Sequence, residues 1–195
     1  MSKTLAILIA AAAALAAALV IAVTYVVTRT GGDTTAASWG NDLPGADAST
    51  YANSTGGYTW VTADRTVFCR SDNASAPICY LSRQWKPPFA ADHDCGFYPG
   101  TDPALSSVLF VTGPTGTPCH SLLQGNPGYR EADGLWQTGN PSTGETYPVL
   151  PDRTAVTLPT KNGQIRCGLD SGRFGCRTDH GSGYLVSATS IDFTD

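Results

Sequence analysis

The placement of glycine and proline constrains this chain more than any motif in it. Residues 1–30 contain neither and are mostly Ala, Leu, Ile and Val, while all 21 Gly and 13 Pro follow. Beyond residue 30, about one residue in five is therefore Gly or Pro. Proline breaks helix interiors and glycine weakens them, so this density excludes a helical bundle or coiled coil for most of the chain. It also argues against a large α/β enzyme, which needs repeated uninterrupted helices.

The apolar stretch at residues 5–27 holds only Thr24 and Tyr25 as polar side chains. As a helix it would reach roughly 35 Å, enough for a hydrocarbon core of about 30 Å. Lys3 precedes it and Arg29 follows. A cleaved signal peptide would have a shorter core and a nearby small-residue site. Thr35-Ala36-Ala37 offers such a site only well past the stretch, so residues 1–30 are expected to be an uncleaved signal-anchor. Secretion after cleavage is the alternative. No cysteine precedes Cys69, which excludes a lipoprotein signal.

All six cysteines lie beyond the apolar stretch. Disulfides persist in oxidising compartments, so the N-terminus is expected in the cytoplasm and the rest outside, on a single-pass membrane protein. The formal net charge is −4. Setting aside Lys3 and Arg29, ten of the twelve Lys and Arg remain against sixteen Asp and Glu, and the cations are scattered. No basic stripe exists to neutralise phosphates, so a nucleic-acid partner is not expected.

Residues 31–57 are rich in Gly, Ala, Ser, Thr, Asn and Asp, and read as a flexible linker. Residues 58–195 read as a small antiparallel β domain. Short runs rich in β-branched and aromatic residues recur at 58–62, 66–69, 78–81, 107–112, 155–158, 164–167, 174–177 and 184–187, separated by turn clusters such as Asn162-Gly163. Residues 125–136 have room for one helical turn at most. Trp60 and Trp85 are expected in the core.

Cys69 with Cys79, and Cys167 with Cys176, each bracket a turn-rich loop between strand-like residues. Each pair fits a clipped hairpin. Cys95 and Cys119 would close a longer loop. Six cysteines permit fifteen pairings, of which the sequential one is expected because local closure needs no special topology. Zinc needs closer spacing than any two of these cysteines have. The two clipped hairpins also resemble each other, through internal duplication or through convergence.

The first hairpin is followed by Gln84-Trp85-Lys86-Pro87-Pro88, Cys95, and Val111-Thr112-Gly113 leading to Cys119. The later segments are Val149-Leu150-Pro151, Gln164-Ile165-Arg166-Cys167, Gly175-Cys176 and His180-Gly181 with Tyr184-Leu185-Val186-Ser187. Together these resemble the cysteine-rich secreted domain of unknown function found in actinobacterial cell-envelope proteins. The resemblance implies an extracytoplasmic domain with locally paired disulfides and no assigned activity. Many relatives carry a lipobox, where this chain has a long apolar stretch.

Candidate chemistry is sparse. There is no G-x-S-x-G, and Gly181-Ser182-Gly183 reads as a loop. The chain has two glutamates, Glu131 and Glu145, and nothing selects a pair of carboxylates astride a cleft. If Cys95 bonds Cys119, His93 and His120 come near one another with Asp92 and Asp94 alongside, a set that would suit zinc or copper. Strand alternation opposes this, sending His93 and His120 to opposite faces. Residues 125–144 form a Pro/Gly-rich insertion with Tyr129, Leu135 and Trp136. Either these side chains are exposed anchors for a ligand, or Trp136 folds back over the core. The expected function is a membrane-tethered extracytoplasmic binding domain. It needs no cofactor and its partner is an envelope protein or glycan. An envelope hydrolase or metal-dependent enzyme is the alternative.

Overall fold

The computed structural model of this chain describes residues 35–88, 91–95, 107–112, 117–122 and 131–194. The apolar segment 1–30 and Tyr129 lie outside the described residues. No helix among those described is long and apolar enough to cross a membrane. The described chain is mainly β, with helix limited to short 3₁₀ turns at Ala36–Ser38, Ala48–Tyr51 and Ala91–His93.

The first part of the chain supplies β1 (Gly45–Ala46), β2 (Thr59–Thr62), β3 (Val67–Arg70), β4 (Ile78–Leu81), β5 (Ser107–Thr112) and β6 (Thr117–Leu122). A connecting stretch holds β7 (Glu131–Ala132), β8 (Leu135–Trp136), β9 (Gly139–Asn140) and β10 (Glu145–Thr146). The last part supplies β11 (Val149–Leu150), β12 (Thr154–Thr160), β13 (Gly163–Asp170), β14 (Arg173–Thr178), β15 (Gly183–Val186) and β16 (Ile191–Thr194). Two six-stranded sheets result, ordered β11-β2-β3-β4-β5-β6 and β1-β12-β13-β14-β15-β16.

Side-chain alternation decides which faces meet. Val67 and Cys69 on β3, and Cys79 and Leu81 on β4, point one way, with Trp60 beside them. Ile165, Cys167 and Leu169 on β13, Phe174 and Cys176 on β14, and Tyr184 and Val186 on β15 point towards them from the other sheet. These residues, with Tyr51 and Trp85, form one core between the sheets. Cys69–Cys79 and Cys167–Cys176 each join register partners on adjacent strands, with Cα atoms 4.1 and 4.0 Å apart. Both bonds are fully buried.

The two sheets repeat one plan. In each, five strands form an antiparallel meander, and the disulfide joins the second strand to the third. A two-residue strand then adds in parallel beside the first. These short strands are exchanged. β1 precedes the first meander but pairs with β12, while β11 precedes the second meander but pairs with β2. Each half of the chain therefore completes the other half's sheet. Register extends the equivalence to single residues. Cys79 leads through Leu109 to His120, and Cys176 leads through Tyr184 to Phe193. The rings of His120 and Phe193 meet edge to face at 5.6 Å.

The outer faces are covered by exchange as well. Residues 35–43 cross the sheet of the second half, where Ala36, Trp39 and Leu43 pack on Leu185. Trp39 lies directly over Gly175. A Cβ there would come within 2.5 Å of the indole Cδ1, so only glycine leaves room for it. Two outward arginines hold the segment by its backbone. Arg166 donates to the carbonyls of Gly40 (2.9 Å) and Leu43 (2.7 Å) and to Thr157 Oγ1, and Arg177 donates to the carbonyl of Trp39 and to Asn41 Oδ1. Arg173 sits 5.2 Å from the centre of the Trp39 ring. Burial, and then the neighbouring Arg177, lower the pKa of Arg166, whose guanidinium nevertheless keeps its proton.

Residues 35–57 are thus part of the folded unit, which contradicts the flexible linker expected there. The composition is polar and glycine-rich, but Ala36, Trp39 and Tyr51 are each at most 3% exposed. Those few apolar contacts, with the β1–β12 pairing, fix the segment. The helical turn allowed within 125–136 is also absent from its described part. Residues 131–136 form the β7–β8 hairpin, and Asp133 and Gly134 both have positive φ (57° and 74°), the geometry of a type I′ turn.

Tyr184 is fully buried between the sheets, and burial pushes its phenol far above the ordinary value. The unfolded chain ionises this tyrosine near pH 10, while the folded chain does not. Its contribution is therefore complete below about pH 10 and is lost as pH rises further, at about 1.4 kcal/mol per pH unit. Unfolding free energies from denaturant titrations should stay level up to about pH 10 and fall on this slope from about pH 10 to 12, and Tyr184→Phe should flatten it.

Candidate functional site

The sequence singled out three places. At the first, Cys95 and Cys119 are bonded and the backbone around them is paired. Asp94 bridges to His120, and the amide of Cys95 donates to the His120 carbonyl at 3.0 Å. His93 and His120 do come together, but around a phenyl ring. His93 stacks on Phe193 at 4.2 Å, and His120 meets the same ring from the side. His120 is fully buried, because its register on β6 puts it on the face shared with Cys79. No group of three His, Cys, Asp or Glu among the described residues is placed to hold a metal ion. The zinc or copper site considered for His93 and His120 is replaced by aromatic packing.

The second place is the insertion. Trp136 is 1% exposed, so it is not an exposed anchor. It lies with Phe68, Val61 and Tyr147 on the outer face of the sheet of the first half, and its Nε1 donates to the Tyr80 carbonyl at 2.9 Å. That face carries large apolar side chains and must be covered. Trp136 does this as Trp39 does on the opposite sheet. Leu135 beside it is half-buried. The third place is the loop at 178–183. There Asp179 accepts from the Gln164 amide and lies 3.6 Å from the exposed His180 ring.

Comparison with family models, curated proteins and solved structures finds no match.

What the two-fold plan does not account for is the β9–β10 hairpin. The cover over the second sheet is residues 35–43, whereas the cover over the first, 131–147, is longer by this excursion. Residues 141–146 are all exposed. The hairpin is nonetheless well held. Gly144 N donates to the Asn140 carbonyl at 2.9 Å, Ser142 N to Asn140 Oδ1, and Tyr147 N to the Thr138 carbonyl. Open grooves of about 480 and 420 Å³ flank it, sharing Glu145 and Thr146. Arg70 and Asn53 line the first, and Arg65, Gln137 and Asn140 the second.

The wall opposite the hairpin is built on Asn53. Its Nδ2 donates to Thr59 Oγ1 and to the Ser71 carbonyl at 3.0 and 2.9 Å. Its Oδ1 accepts from the amides of Thr55 and Gly57 and from Thr55 Oγ1. Thr55 also bonds Asp72, which pairs with Arg70 at 3.4 Å. One amide side chain thus sets the 53–57 turn and, through Asp72, connects to the groove's arginine. Asn53→Ala should lower stability by about 2 kcal/mol, from several modest hydrogen bonds lost together. Asn53→Asp keeps the Oδ1 acceptor but sets a second oxygen against the Ser71 carbonyl, and should lose at least as much. Thermal midpoints of the two variants test the ordering. These residues carry no sequence motif, and Asn53 fell in the stretch read as linker.

Proposed function

We propose that this chain is a membrane-tethered, extracytoplasmic binding module of the cell envelope. Three disulfides support the location, since such bonds last where the surroundings are oxidising. The apolar segment at 1–30 supplies the tether. The observation that carries the binding role is the β9–β10 hairpin, an internally bonded excursion whose residues 141–146 are exposed, with a groove on each side, standing on a disulfide-clipped sandwich. Loops fixed on rigid scaffolds are the usual seat of recognition.

The full chain, carrying a C-terminal tag and expressed in its own host, should remain in the carbonate-washed membrane fraction. Protease added to intact cells should remove the tag. The chain should also retain envelope material on affinity capture, and a variant with residues 141–144 replaced by Gly-Gly should retain less. A tag protected from protease would refute the location. Equal capture by the shortened hairpin would refute the site.

A further inference from the structure

The groove between the hairpin and the 53–59 segment has a definite chemical character, and we infer that it takes a neutral, hydroxyl-rich ligand, a segment of envelope glycan. This rests on the reading of the hairpin as a binding surface. The groove presents one cation and one carboxylate, Arg70 and Glu145, with the hydroxyls of Ser54, Thr143 and Thr146, while the Asn53 amide and the buried Thr59 are committed to each other in the wall. Arg70 is already paired with Asp72, which disfavours a polyanion, and the single lining carboxylate, Glu145, is too little to hold a polycation. Apolar lining is confined to Ala52 and Pro148. Small-molecule pockets rely on apolar walls, and peptide grooves on apolar pockets beside an open strand edge; among the described residues β10 pairs only with β9 and leaves such an edge here, but no apolar pocket accompanies it to receive a peptide's side chains. A sugar hydroxyl both donates and accepts. The Arg70 guanidinium, the Glu145 carboxylate and the Ser54, Thr143 and Thr146 hydroxyls around one groove offer that mixture of partners. The Asn53 network holds one wall in place before any ligand arrives, which limits the ordering cost of binding. Little apolar area is available, so affinity should be modest and insensitive to salt.

The test is calorimetry on the full chain in a detergent without a sugar headgroup. The probes are neutral hexasaccharides of glucose, mannose and arabinose, an acidic oligogalacturonate, and an acidic and a basic octapeptide. Expected is binding of at least one neutral hexasaccharide with Kd on the order of 1 mM, unchanged between 0.05 and 0.5 M salt. Glu145→Ala, on the exposed strand β10, should weaken it about tenfold while melting at the native temperature. Binding confined to a peptide or to the acidic oligosaccharide, or falling steeply with salt, would overturn the assignment. So would no heat with any probe while envelope capture still succeeds, and in that case the binding role survives and its ligand class is wrong. Loss of capture as well would remove both.

Discussion

Trp39→Ala should destabilise the folded unit by about 3–5 kcal/mol, the usual cost of emptying a buried tryptophan site. That is a large share of the roughly 5–15 kcal/mol that holds a typical domain. Adding Arg166→Ala removes bonds to two backbone carbonyls of the same cover segment and should free residues 35–46. The result should be loss of both sheets together. β1 leaves β12, the second sheet loses its cover, and the shared core opens to Trp60 on the other side. Tryptophan fluorescence and far-ultraviolet circular dichroism should therefore report one coincident transition in urea. Two separated transitions, with the first sheet surviving, would show that the exchanged strands do not couple the halves.

Reduction should proceed in two stages. Cys95 is half-buried, whereas Cys69, Cys79, Cys167 and Cys176 have no exposure. Thiolate reductants must reach sulfur, so mild dithiothreitol under native conditions should open Cys95–Cys119 alone. The other two should react only when the unit unfolds. Each clip is worth about 3 kcal/mol on the chain-entropy account. Full reduction should consequently leave the chain unfolded at 37 °C. Alkylation and peptide mass mapping at timed points would show the order, and simultaneous loss of all three bonds would contradict it.

The strands and their clips were legible because Cys69, Cys79, Cys167 and Cys176 each sit in a short strand-like run beside a turn signal. Period two needs about four residues to be visible. Gly45–Ala46 and Val149–Leu150 are too short to show it, so the exchange of edge strands was invisible. The same limit hid the fold of residues 35–57, where Trp39 and Tyr51 are isolated among Gly, Ser and Thr. Trp136 was recognised as a large side chain on a loop, and both of its fates were open. Composition does not say whether a tryptophan meets solvent or a neighbouring sheet. The Asp133-Gly134 dipeptide does carry a hairpin signal, and it outweighed any helical turn there. The groove was unreadable because Asn53, Thr59, Arg70 and Glu145 converge only through the β-sheet register and the return of the hairpin.

Reciprocal completion of the sheets also bears on how the molecule is made. Val61 is paired with Val149, 149 − 61 = 88 positions further along. A nascent polypeptide with its first meander already synthesised still shows a bare rim along β2, open to pairing with other molecules. That rim stays uncovered until the later segment arrives, so maturation is slow, with its span of greatest vulnerability in mid-synthesis. Once the second meander closes, each half shields the other, and neither rim reopens without the whole unit coming apart.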